Sequence, residues 1–132
     1  MDDGLSCVPR ILIAATRSGS GKTTIVGGLL AALRGRGLRV CGYKIGPDYI
    51  DPGHHRLAGN CPVCNLDTWL TDERAMTVLF VRTSRGADIA VTEGVMELYN
   101  GGRTPRASRA SKIAARSSKV PKRTKFASES RA

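Results

Sequence analysis

The chain has 132 residues, 41% of them hydrophobic, the usual size of one domain with a modest core, and it carries a formal charge of +10. The charge is uneven: residues 1–102 hold 11 Lys+Arg against 10 Asp+Glu, whereas residues 103–132 hold 10 against 1, so the globular part is expected to be nearly neutral. No run approaches the roughly 18 apolar residues of a membrane span and the first residues lack a signal-peptide pattern, which makes the cytoplasm the expected location and free thiols the expected state of the four cysteines.

After a leader at residues 1–8, the RILIAA run at 10–15 has the length and apolar character of a buried parallel strand and ends at a glycine-rich turn. Residues 23–34 read as a helix, because Ile25, Val26, Leu29, Leu30 and Leu33 recur at helical spacing and Gly35 and Gly37 supply a stop. Residues 38–44 form a second strand, and strand, loop, helix, strand in that order predicts a parallel βαβ unit with a right-handed crossover. From 45 to 66 the composition turns to Gly, Pro, Asp, Asn and His, which predicts an irregular functional loop. His54 and His55 fall in that loop, as do Cys61 and Cys64, whose spacing suits a metal or redox pair but which no second cysteine pair supports.

Thr71 or Asp72 caps a helix running to about Ser84, and ADIAVT at 87–92 is a third strand with Glu93 and Gly94 at its C-terminal end. Ligands of open α/β sheets bind at the C-terminal ends of strands, so the loops after the three strands are expected to converge on one crevice. Residues 103–132 contain only isolated apolar positions, Ile113, Val120 and Phe126, and read as a disordered basic tail.

The strongest chemical signal is TRSGSGKT at 16–23, set between a strand and a helix, the context of a phosphate-binding loop. Glycines at 19 and 21 let the backbone turn tightly, so that N–H groups of the loop and of the helix start face a polyphosphate. Lys22 is placed to reach the β- and γ-phosphates, and the Thr23 hydroxyl to bind Mg²⁺. Thr16, Ser18, Ser20, Thr24 and Lys44 complete the expected nucleotide contacts. Thr16 stands where the common pattern has its first glycine. Phosphoryl transfer also needs carboxylates near the metal, and Asp48, Asp51 and Glu93 each follow a predicted strand on the edge that carries the loop. Asp48 and Asp51 also lie beside Pro47 and Pro52, where aspartates favour turns, and Lys44 reads equally as a strand-end surface lysine.

The run YKIGPDYIDP at 43–52, with His55, Asn65, Leu66 and Asp67, then EGVM at 93–96 and Leu98, Tyr99 and Gly101, resembles the N-terminal synthetase domain of the cobyrinic acid a,c-diamide synthase family. The resemblance covers about residues 9–102, and deethiobiotin synthetase and cobyric acid synthase are relatives that share the stretch less closely. It implies a P-loop NTPase fold of the deethiobiotin synthetase kind, an α/β domain with a parallel sheet, present here as a partial domain. It also implies an ATP- and Mg²⁺-dependent, glutamine-using amidation of two corrin carboxylates through an acyl phosphate. Carried over, Gly19, Ser20, Gly21, Lys22 and Thr23 would bind ATP, Thr23, Asp48 and Glu93 would surround Mg²⁺, and Asp51, with Tyr49 and His55, would face the corrin carboxylate. Lys22, Asp48, Asp51 and Glu93 are the catalytic candidates.

Two positions depart from the family pattern: Glu97 replaces a glycine and Asn100 an aspartate. The family also continues into a glutamine amidotransferase domain, so the expectation is an ATP-binding front piece, inactive alone, that works with a separate amidotransferase subunit or is a truncated or frame-shifted product. A second function class is a ParA/MinD-like ATPase whose basic tail binds nucleic acid. Phe126 is the tail's one aromatic residue, and no groove-reading pattern accompanies it, so any such binding is expected to be non-specific.

Overall fold

The computed structural model describes residues 8–67 and 70–94. Residues 1–7 of the leader, the basic tail and the Glu97 and Asn100 departures lie outside the described residues. Within them the order is β1 (Arg10–Ile13), α1 (Lys22–Gly35), β2 (Val40–Ile45), α2 (Ile50–Gly59), β3 (Val63–Leu66), α3 (Glu73–Thr83) and β4 (Ile89–Glu93). The strands form one parallel sheet in the order β1-β4-β2-β3.

Burial follows position in the sheet. Every residue of β2 is buried and all of β4 except its first, as both lie between two neighbours and under helices, whereas β1 and β3 keep partly exposed positions. Alternation along the strands separates two clusters. Val40, Val63 and Val91 pack with Val26 and Leu30 of α1, while Cys41, Tyr43, Leu66 and Ala90 pack with Met76 of α3. Tyr43 is fixed on the α3 side by ring contact with Phe80 at 4.7 Å and by a 2.8 Å hydrogen bond to Thr83 Oγ1. Burial pushes its phenol pKa well above the ordinary value, more than the bond to Thr83 lowers it, and pushes the Cys41 thiol up to about 11.

Four of the expected elements appear with shifted ends: β1 stops at Ile13, α1 begins at Lys22, β2 runs from Val40 to Ile45, and β4 runs through Glu93. Asp72 caps α3, its carboxylate accepting the Ala75 amide at 2.7 Å. The expected 45–66 loop is corrected: it contains α2 and β3, so the sheet has four described strands rather than three. The turn residues there serve a helix start. Asp48 Oδ1 accepts the amides of Ile50 at 2.9 Å and Asp51 at 3.3 Å, and Pro52 sits in the first turn, where its missing N–H leaves no helical bond unmade. The buried stripe of α2 is Pro52, His55 and Gly59, none of them a residue that periodicity analysis counts as apolar. Asn60 ends the helix at a φ of 42°.

The CxxC segment is also resolved as packing. Cys61 joins the cluster under α1 and Cys64 packs toward the cluster under α3, so the two thiols face opposite sides of the sheet. Leu30 is fully buried and Leu57 is 84% exposed, which gives a direct test of the core. Leu30→Ala is expected to lower unfolding free energy by about 2–5 kcal/mol in urea titration, whereas Leu57→Ala is expected to change it by no more than about 0.5 kcal/mol.

Candidate functional site

The chain leaves β1 for α1 through the glycine-rich loop. Gly19 and Gly21 have φ of 72° and 82°, a backbone conformation that side chains disfavour, although a Cβ there would meet no atom within 4 Å. Glycine is therefore required by dihedral angle rather than by crowding. Gly21 is the N-cap of α1 and no side chain caps that terminus, so the helix start opens toward the loop with its amides and dipole. Ser20 closes the loop internally, its hydroxyl donating to Arg17 O at 2.9 Å.

Strand order then places the charged groups. β4 lies between β1 and β2, and the parallel register sets Glu93 beside Ile13 on one side and Lys44 on the other. Lys44 Nζ donates to Glu93 Oε1 at 2.9 Å and to Asp51 Oδ2 at 2.8 Å, and Asp48 Oδ2 lies 3.7 Å away. Thr23 Oγ1 donates to the same Glu93 oxygen at 3.1 Å, tying the phosphate loop to the carboxylates. Asp48 is held from behind by Asn65, whose side-chain amide donates to Asp48 O at 2.6 Å.

Lys44 is 6% exposed at its side chain and Glu93 1%, which excludes the surface-lysine reading. Burial alone pushes the Lys44 pKa down, but the hydrogen bonds and charges of Asp51 and Glu93 outweigh it, and the net shift is upward. Burial likewise pushes Asp51 up, while the bonds from Lys44, Asp48 and Thr23 and the Lys44 charge bring its net pKa down. The aspartates flanking Pro47 and Pro52 do favour the local turn, but they also face Lys44, so both readings of Asp48 hold together.

These groups wall a cavity of about 780 Å³ lined by Ser18, Gly19, Ser20, Gly21, Lys22, Thr23, Thr24, Lys44, Asp48, Asp51 and Glu93 and by the other residues from Ile45 to Ile50. Of the residues expected to contact nucleotide, Thr16 is exposed and stands outside the wall. Tyr49 lies at the mouth, 80% exposed. His55, expected to face substrate, is instead 1% exposed, with Nε2 at 3.1 Å from Glu93 Oε2.

The cavity fits a nucleotide with Mg²⁺. Its glycine loop is open, and a hydroxyl and three carboxylates stand at one end. No three His, Cys, Asp or Glu side chains form a closed metal cage among the described residues. Mg²⁺ does not need one, since it is commonly held by one or two carboxylates, waters and substrate phosphates.

Two consequences are measurable. Removing Lys44 strands Glu93 as a buried charge, so Lys44→Met is expected to destabilise by about 3–5 kcal/mol, and adding Glu93→Gln should recover part of that loss in the same chemical melt. Because the folded pKa of Asp51 lies below its ordinary 3.8, its contribution is present above that value and lost as pH falls through the lowered one. The difference in melting temperature between wild type and Asp51→Asn should therefore be full at neutral pH and shrink below pH 3.8.

Comparison with known proteins agrees with this architecture. Residues 11–123 match the CobQ/CobB/MinD/ParA nucleotide binding domain. The hydrogenobyrinate a,c-diamide synthase of Streptomyces coelicolor is 56% identical over 99 residues, 75% of this chain and 20% of that protein. The cobyrinate a,c-diamide synthase of Dehalococcoides mccartyi is 56% identical over 93 residues, 70% of this chain and 20% of that protein. That of Picrophilus torridus is 45% identical over 111 residues, 84% of this chain and 25% of that protein. The chain thus spans about a fifth to a quarter of the length of these relatives. No helix among the described residues is long and apolar enough to cross a membrane.

Proposed function

The chain belongs to the CobQ/CobB/MinD/ParA nucleotide-binding domain family, with its P-loop NTPase fold, and from that premise we propose that it binds Mg·ATP and activates the a and c carboxylates of cobyrinic or hydrogenobyrinic acid for amidation in cobalamin biosynthesis. The observation that carries the reading is the convergence of Asp51 and Glu93 on Lys44, with Thr23 of the phosphate loop bonded to the same Glu93 oxygen, in one cavity.

A carboxylate is a poor electrophile. One of its oxygens attacks the γ-phosphorus of ATP, the bond to the β–γ bridging oxygen breaks, and ADP leaves, giving an acyl phosphate. The lone pair of ammonia attacks the acyl carbon, the phosphate departs with the C–O bonding electrons, and a proton is lost to leave the amide. Backbone amides at Gly19–Gly21 and the start of α1 hold the phosphates, and Lys22 neutralises the β- and γ-groups. Thr23, Asp48 and Glu93 are the groups that would hold Mg²⁺, which when bound offsets charge developing on the transferred phosphoryl. In this reading Asp51 and Lys44, paired at 2.8 Å, would meet the substrate carboxylate, Lys44 countering the repulsion between that carboxylate and the acidic cluster.

The partners in this reading are the corrin carboxylate and a separate glutamine amidotransferase subunit that supplies ammonia, and the compartment is the cytoplasm. Nucleic acid enters only through non-specific attraction to the basic residues at 103–132.

Titration calorimetry on the 132-residue chain tests the nucleotide site. Wild type is expected to bind ATP in the presence of Mg²⁺, and Lys22→Ala to bind about 10- to 150-fold more weakly, the loss of a hydrogen bond to a charged group. Equal affinity of the two proteins, or heat from neither, would reject the reading.

A further inference from the structure

α2 and the turn before it bring three polar residues to the cavity end of the sheet: Asp48 just ahead of the helix, Asp51 in its first turn and His55 one turn later. Asp51 and His55 are four residues apart and so share a helix face. That face meets the end of β4, where Asp51 takes a hydrogen bond from Lys44 at 2.8 Å and His55 lies against Glu93 at 3.1 Å. Glu93 is thus surrounded on both oxygens. Oε1 accepts from Lys44 and Thr23, and Oε2 faces the His55 ring.

The contact is close but off the line that a hydrogen bond requires. Both ring nitrogens of His55 and Oε2 of Glu93 are without a partner of hydrogen-bond geometry among the described residues, and both side chains are 1% exposed. A buried imidazole and a buried carboxylate oxygen facing each other unpaired are costly, and a small rotation of the ring would pair them.

We infer that His55 is a positioning residue for Glu93: its Nε2–H closes on Oε2 and fixes the carboxylate so that Oε1 stays directed toward Thr23 and the cation end of the cavity. His55 touches neither nucleotide nor substrate in this account. Its effect passes through Glu93, as an outer partner orients a metal-holding carboxylate. The inference rests on the Mg·ATP reading above and deepens it.

The test uses the full chain as wild type, His55→Leu and His55→Gln, with ATP affinity measured by calorimetry both in Mg²⁺ and in EDTA. Thermal melts of all three proteins run alongside. His55→Leu is expected to weaken ATP binding in Mg²⁺ by about 10–100-fold, to leave affinity in EDTA unchanged, and to be largely rescued in His55→Gln, whose amide N–H can serve Oε2. Parallel loss in Mg²⁺ and in EDTA, or a loss in His55→Leu that His55→Gln does not restore, would overturn the positioning role and leave His55 a packing residue. Wild-type affinity in His55→Leu would overturn it also. Failure of wild type to bind ATP in Mg²⁺ would instead reject the nucleotide reading and the inference together, so the two failures are distinguishable.

Discussion

A charge removed from water has to be paired, and the Lys44–Glu93 contact is where this protein meets that constraint. Lys44 is 6% exposed and Glu93 1%, and their charged atoms lie 2.9 Å apart. Such pairs seldom stabilise a fold more than well-packed apolar residues would, because desolvation offsets most of the attraction. Retaining one at the mouth of a phosphate loop is better explained by what the charges do there. The pair joins β2 to β4, and the Thr23 hydroxyl on the same oxygen joins both strands to the start of α1.

The remaining structure can be traced outward from that contact. Glu93 reaches Lys44 because β4 inserts between β1 and β2, and the insertion is stable because helices cover both faces of the two central strands. Lys44 stays charged because Asp51 adds a second hydrogen bond from α2. α2 is held in place by the Asp48 carboxylate at its start and by Asn65 on Asp48 O. The acidic cluster, the cation that balances it and the glycine loop are thus one assembly. The proposed carboxylate activation would need these together: donors for phosphate, carboxylates for a metal ion, and a positive group that lets an anionic substrate approach.

The elements legible in the sequence are those specified by local signals. The phosphate loop was legible because its glycines are needed for positive φ and its lysine and threonine follow at fixed offsets. α1 was legible from apolar spacing and α3 from its capping residue, Thr71 or Asp72 in the sequence and Asp72 in the fold. α2 was not, because the residues it buries are Pro52, His55 and Gly59, and because Asp and Pro mark a helix start as readily as a turn. β3 was missed as four residues without alternation, one of them Asn65. Lys44 gave two readings in sequence, since a strand-end lysine is usually solvated and only its neighbours decide otherwise.

The sequence by itself determined the chemical inventory: a glycine loop able to hold phosphate, a lysine and threonine after it, and a set of carboxylates near strand ends, all written in short-range patterns. The tertiary structure alone decided that β4 lies between β1 and β2, that Lys44 and Glu93, 49 residues apart, form a buried pair, and that His55 turns inward to Glu93 instead of outward to substrate. The reason is physical. Dihedral preferences and amphipathic periods act over a few residues, whereas the pairing of strands and of buried charges is settled by which distant segments can cover one another's apolar faces while leaving no charge unpaired.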